Sequence, residues 1–280
     1  MSQLPSATAI PTSSTEPPSL LARSRKRTVA REVVCDFVFR PLAHVVVLAL
    51  LPLRVPPPAV LLAGTATGLA AAYAIGGGHL VVAAILLQLK TVLDNADGQL
   101  ARASGRVTAL GRYLDSESDL LVNAVLFAAL GYWTGEYLLA AVAFLVLTLV
   151  LSVDFNLAIL YRRERGEAVD TMPPAEGLAG TLARIYRVVY APHDRLIERF
   201  VETRLSRMQA GEGARLAYHD RATLAVLANF GLSTQLAALG VCLAVGRPTM
   251  YFWLVLACGA ALVPLAVRRE RRARTVLALS

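Results

Sequence analysis

Apolar residues gather along this chain into six runs, at 59–76, 79–97, 112–132, 136–160, 221–245 and 249–268. Each is close to the length a helix needs to cross a bilayer, about 17–25 residues. Three of the connections are short, GGGH at 76–79, GYWTGE at 131–136 and GRPTM at 246–250. The remaining polar stretches are longer and rich in arginine. The pattern predicts an all-α integral membrane protein with six transmembrane helices.

The stretch before the first run, SRKRTVAREVVCDFVFRPLAHVVVLALLPLR at 24–54, is apolar only in pieces. Its run 42–53 is too short to span, and Arg31, Asp36 and Arg40 interrupt what precedes it. Residues 23–55 are therefore expected to form an amphipathic helix lying in the membrane interface rather than a seventh span. Pro56 to Pro58 cannot continue that helix but can begin the next one. Gly64 and Gly68, spaced as GxxxG, allow close helix approach, within one subunit or between two. Residues 161–220 read as a cytoplasmic insertion in which arginines alternate with apolar residues at helical spacing, a pattern suited to anionic lipid headgroups or to an anionic substrate. The chain thus divides into a disordered cytoplasmic tail (1–22), the interfacial region (23–55), a six-helix membrane catalytic domain (56–268) and a basic cytoplasmic tail (269–280).

Composition agrees with a membrane solvent: 56% of the 280 residues are hydrophobic and 17% are charged, with a mean hydropathy of +0.54. A formal charge of +8 could suit nucleic acid, but 26 of the 28 lysines and arginines lie on the same side of the six-span layout. That places both termini and the acidic segment in the cytoplasm and gives no reason to expect a nucleic-acid partner. The expected location is the inner membrane of a bacterium. Cys35, Cys242 and Cys258 sit apart in apolar surroundings and read as packing residues. The four histidines, His44, His79, His193 and His219, show no metal-ligand spacing.

Against this background the segment DNADGQLARASGRVTALGRYLDSESD at 94–119 stands out. Asp94 and Asp97 are three apart and Asp115 and Asp119 four apart, so each pair projects from one face of a helix. A turn around Gly105 would bring the two helix ends together. Four carboxylates gathered in a low-dielectric site cannot all ionise without cations. Oxygen-only ligation suits Mg²⁺ or Mn²⁺, and four carboxylates could hold two ions about 3.5–4 Å apart, an arrangement that clamps a phosphoryl group. Gly98, Ala101 and Gly111 remove bulk where a ligand or partner helix must approach, and Arg102 offers a planar fork to a diphosphate.

The spacing DxxDGxxARx₈GxxxDxxxD is met without mismatch by Asp94, Asp97, Gly98, Ala101, Arg102, Gly111, Asp115 and Asp119. Chance would meet it with a probability on the order of 10⁻¹⁰ per starting point. On these residues the chain resembles the CDP-alcohol phosphotransferases, and its helix layout resembles theirs over residues 24–268. The resemblance implies a transferase of phospholipid biosynthesis that moves a phospho-alcohol unit from a CDP-linked lipid donor to the hydroxyl of an alcohol or phospho-alcohol acceptor, releases CMP and works as a homodimer. It also implies that Asp94, Asp97 and Asp115 hold the metals, that Asp119 completes the ligation and acts as general base, and that Gly98, Ala101, Arg102 and Gly111 border the diphosphate. One departure concerns the donor base: members often begin the first span with Pro-Asn-x-x-Thr, whereas here Pro58 follows Pro57 and Leu61 takes the threonine place. Two other functions stay open, a membrane phosphohydrolase using the same metals and a cation transporter using the carboxylates as a path.

Overall fold

The computed structural model describes Ser24 and residues 28–169 and 176–279. The expected tail at 1–22, and Pro173 and Pro174 of the insertion, lie outside the described residues. Among the described residues every regular element is helical. A π-type turn (Cys35–Phe39) leads into α1 (Arg40–Leu50), followed by α2 (Pro57–Gly76), α3 (Leu80–Ala103), α4 (Ala109–Thr134) and α5 (Tyr137–Arg163). The insertion supplies α6 (Gly177–Val189), α7 (Ala191–Arg207) and α8 (Glu212–Tyr218), and the chain ends with α9 (Arg221–Ala228), α10 (Leu232–Ala244) and α11 (Thr249–Leu277).

Four segments are long and apolar enough to cross a membrane: α2, α5, the run Glu212–Ala244 and α11. The helices α3 and α4 have the length, 24 and 26 residues. Lys90, Asp94, Asp97 and Arg102 on the first, and Arg112, Asp115, Glu117 and Asp119 on the second, lower their apolar character. The acidic segment therefore lies on the two helices that fall short of the others as spans. Large apolar side chains cover the outside, among them Leu62, Ile85, Leu145, Trp253 and Val263, as expected where lipid tails replace water.

The core lies between α2, α3, α4, α5, α10 and α11, where Ile75, Leu87, Leu126, Leu130, Leu147 and Phe252 are fully buried. Several features differ from the sequence expectation. The run 221–245 is not one helix but α9 and α10, separated at 229–231. The Glu32 carboxylate accepts hydrogen bonds from the Thr234 backbone N–H (2.9 Å) and hydroxyl (3.0 Å), so it caps the start of α10. Asn229 accepts from the Val33 N–H and donates to the Arg31 carbonyl. A break in an apolar helix is tolerated when its freed backbone groups find partners, and here the segment 31–33 supplies them.

The insertion is the second difference. One apolar stripe turns inward: Ile197, Val201 and Leu205 of α7 are buried in a cluster with Leu157 of α5, Tyr218, Leu224, Leu227 and Ala273 of α11, while Val188, Leu196 and Phe200 stay exposed. Burial of each inward side chain stabilises the docking of α7 on the protein by about 1.5–3 kcal/mol. The residues expected as a basic tail from 269 continue α11 as far as Leu277.

Residues 28–32 are not helical, and from residue 33 the chain is helical up to α1. Cys35, Phe39, Ala43 and Val47 recur every fourth residue and are buried; Ala43 and Val47 pack with Ala96, Leu100 and Ala103 of α3. Phe37, Val38, Leu42, Val45 and Leu48 face outward. Asp36, Arg40 and His44, also four apart, make a polar stripe between the buried and the outward apolar residues.

Candidate metal centre

The turn between α3 and α4 is made by residues 104–108, with Gly105 in the left-handed region at φ +69°, a conformation glycine adopts without strain. Thr108 then caps α4 by accepting the Gly111 N–H at 3.1 Å. This sharp return sets the end of α3 beside the start of α4, and the aspartates on their facing sides meet.

Asp94, Asp97 and Asp115 each bring a carboxylate oxygen into a group whose members lie within 4.8 Å of one another. No His or Cys belongs to it. Asp115 is exposed, Asp94 half-buried and Asp97 buried, so the group opens toward solvent at Asp115 and closes at Asp97. The Oδ2 atom of Asp97 is buried and has no hydrogen-bond partner. A buried carboxylate oxygen left unmatched is unfavourable unless a cation completes it. All-oxygen donors with an orphaned buried oxygen fit Mg²⁺ or Mn²⁺.

The fourth carboxylate is held differently. Lys90, one turn before Asp94 on α3 and 2% exposed, donates from Nζ to Asp94 Oδ1 at 2.9 Å and to Asp119 Oδ1 at 2.5 Å. The structure thus brings three of the expected ligands together and ties Asp119 to Asp94 through a lysine that sequence reasoning had assigned no role. Its spacing of four from Asp94 was the available signal.

The small residues of the segment lie against neighbouring side chains. A methyl group at Gly98 would meet Arg102 Nη1 at 3.2 Å, whereas one at Gly111 would meet Thr108 Oγ1 at 3.2 Å. Arg102 lies back over Gly98 and donates from Nε to the Ser24 carbonyl at 2.7 Å. Ala101 is half-buried on the same turn. Behind the site, α2 comes close through its glycine pair: a methyl at Gly64 would stand 3.4 Å from Leu93 Cβ, and one at Gly68 would stand 2.6 Å from Val122 Cγ1 and 3.3 Å from Lys90 Cγ. The GxxxG approach is therefore made within the chain.

Further braces reach the two helices from outside. Cys35 Sγ donates to Asn95 Oδ1 at 3.2 Å, and Gln99 Nε2 donates to the Arg40 carbonyl at 3.1 Å. The Tyr190 hydroxyl, where α6 meets α7, donates to the Ser116 carbonyl at 3.2 Å, next to Asp115. All three cysteines are free thiols, as their spacing implied. Of the arginines at 161–220, Arg163 pairs with Glu198. Arg162 lines a separate cavity of ≈ 250 Å³ with Thr28, Val29, Tyr161, Glu167 and Arg221.

Residues 42–193 match a family model described as CDP-alcohol phosphatidyltransferase. The chain is 36% identical over 91 residues to a phosphatidylinositol phosphate synthase of Corynebacterium glutamicum, which covers 32% of this chain and 41% of that protein. It is 33% identical over 98 residues to an archaetidylinositol phosphate synthase of Aeropyrum pernix, 35% of this chain and 46% of that one. A bifunctional IPC transferase and DIPP synthase of Thermococcus kodakarensis is 47% identical over 55 residues, 20% of this chain and 13% of that one. The chain thus spans less than half the length of each of these relatives. No solved structure matches it.

Proposed function

The chain belongs to the CDP-alcohol phosphatidyltransferase family, and on that premise we propose that it transfers a phospho-alcohol group, in the simplest case phosphatidyl, from a CDP-linked lipid to an acceptor hydroxyl at a divalent-metal centre. One observation carries the reading: Asp94, Asp97 and Asp115 converge from two helices, and the buried Oδ2 of Asp97 lacks a partner. Six carboxylate oxygens, with waters and the donor's phosphates, are donors enough for the two Mg²⁺ or Mn²⁺ ions that the acidic segment suggests, since magnesium keeps several waters. Bound there, the metal would offset the negative charge that builds on the diphosphate during transfer.

The chain's own residues do the rest. Gly98, Ala101 and Gly111 leave room for the diphosphate, and Arg102 stands at its edge. The acceptor oxygen attacks the phosphorus that carries the alcohol unit, and the bond from that phosphorus to the bridging oxygen breaks. CMP departs with the bridging oxygen, and a new phosphodiester forms. Asp119 takes the hydroxyl proton as general base. Because both substrates are held beside one another, positioning supplies much of the acceleration.

Six helices cross the membrane, α3 and α4 among them, with the π-turn and α1 lying along its cytoplasmic face and the acidic opening toward the cytoplasm. The distribution of arginine supports that orientation. We also infer a homodimer. Since the named relatives include synthases of phosphatidylinositol phosphate and archaetidylinositol phosphate, a phosphorylated inositol is the first acceptor to try.

The test is CMP release from CDP-diacylglycerol by the purified protein, with and without a panel of alcohols and phospho-alcohols. The expected result is release that depends on one acceptor and yields a new phosphodiester lipid. Equal release without any alcohol would replace the transferase with a hydrolase, and no release with any CDP-linked lipid would overturn the donor class.

A further inference from the structure

We propose that Lys90 is a positioning residue that divides the acidic quartet by function, leaving Asp94, Asp97 and Asp115 to the metal while it fixes Asp119 for the acceptor hydroxyl. The inference rests on the metal-centre reading above and assigns a role to a residue outside the signature spacing.

Three observations lead to it. The group that converges within 4.8 Å contains Asp94, Asp97 and Asp115, whereas Asp119 is engaged by the lysine ammonium at 2.5 Å. That ammonium also holds Asp94 at 2.9 Å, so Asp119 is tied at a set distance from a metal ligand. The lysine itself has little room to move. Its stem lies against α2 at Gly68, where even a methyl group would come within 3.3 Å of Lys90 Cγ, and the residue is 2% exposed. Turned elsewhere, the ammonium would be buried among apolar groups without a counter-charge, which is strongly unfavourable.

The consequence is geometric: Lys90 takes one oxygen of Asp94 and one of Asp119, but only Asp94 belongs to the group that converges within 4.8 Å. One oxygen of Asp119 is taken by Lys90, and its second is the one offered to a hydroxyl. Lys90 is too buried to reach a substrate in the opening at Asp115, so it acts through Asp119.

Mn²⁺ binding, followed by electron paramagnetic resonance on the purified full chain, separates the roles without relying on turnover. Asp119→Asn is expected to leave Mn²⁺ affinity within about threefold of the wild type while CMP release collapses. Asp97→Asn is expected to weaken Mn²⁺ at least 100-fold. Lys90→Met is expected to lower kcat about 10- to 100-fold with the donor KM within threefold, to bind Mn²⁺ as tightly as the wild type or tighter, and to recover part of its kcat as Lys90→Arg. If Asp119→Asn weakens Mn²⁺ as much as Asp97→Asn does, or Lys90→Met loses Mn²⁺ together with kcat, the division of roles is overturned and the metal centre stands. If Mn²⁺ does not bind the wild type, or binds Asp97→Asn equally well, the metal centre itself falls. Should Lys90→Met not fold, Lys90→Gln takes its place, with the same outcomes expected and the same outcomes overturning the division.

Discussion

Among the described residues two cations each bridge a pair of carboxylates, and the two arrangements serve opposite ends. Lys90 joins Asp94 and Asp119 between α3 and α4. Arg215, on α8, joins Glu164 and Glu202 beside the docked insertion. The arginine meets its partners with a planar fork, through contacts to both oxygens of Glu164 and both of Glu202 at 2.7–3.2 Å, and its side chain is 30% exposed. The lysine is buried, reaches one oxygen of each partner, and stands beside two more carboxylates, one with an unmatched oxygen. Where donors and acceptors balance at the surface, the charges fasten one element to another. Where acceptors outnumber donors in a buried place, the arrangement is incomplete until something positive arrives.

The largest effects are therefore expected on the incomplete side. Asp119→Asn removes the base and should lower CMP release by about 10²–10⁴-fold. Asp115→Ala removes a ligand and should lower it at least as far. Asp115 is exposed and Asp119 half-buried, and each exchange removes a charge without adding bulk, so the variants should insert and accumulate in membranes like the wild type. Chelation of divalent ions should silence the enzyme reversibly. Substantial CMP release by either variant, normalised to inserted protein, would remove these residues from the roles given to them.

The contrast also marks what could be read from the sequence. The three converging aspartates, the turn at Gly105 and the short links between α2 and α3, α4 and α5, and α10 and α11 were legible because each depends on spacing along one stretch of chain. Lys90 was legible only in half. Its register with Asp94 is local, but its bond to Asp119 requires α2 to hold α3 and α4 facing one another. The break at 229–231 was hidden for a similar reason: the apolar run continues through it, and the carboxylate that makes the break tolerable belongs to Glu32, about two hundred residues earlier. The insertion's periodicity announced an apolar stripe on α7 but could not say what would cover it. Helical spacing reports that a face exists, not which surface it meets.

Gly68 tests the packing that encloses Lys90. A methyl group there would stand 2.6 Å from Val122 Cγ1, closer than two carbons can lie. Gly68→Ala should force α2 away from α4 and destabilise the chain by about 1–3 kcal/mol, seen as a lower unfolding temperature in detergent. Activity should fall with it, because the same shift frees the lysine stem. An unchanged melting profile would mean that the helices close around the site less tightly than described here.

On the balanced side the effects should be smaller and confined to stability. Arg215→Ala leaves Glu164 and Glu202 without their shared partner, and because these groups are partly exposed the loss should be about 1 kcal/mol or less, with CMP release per folded molecule unchanged. The pH dependence of that loss is the finest discriminator. The hydrogen bonds from Arg215 hold the Glu202 carboxyl below its ordinary range. A carboxylate whose folded value is depressed contributes stability that is full above its unfolded value and disappears as the pH falls through the folded one. The gap in stability between wild type and Arg215→Ala should therefore be present at pH 7 and narrow below about pH 4, the ordinary glutamate value, when urea unfolding in detergent is compared across that range. A gap that stays constant into acid would show that Arg215 holds the insertion through its packing rather than its charge.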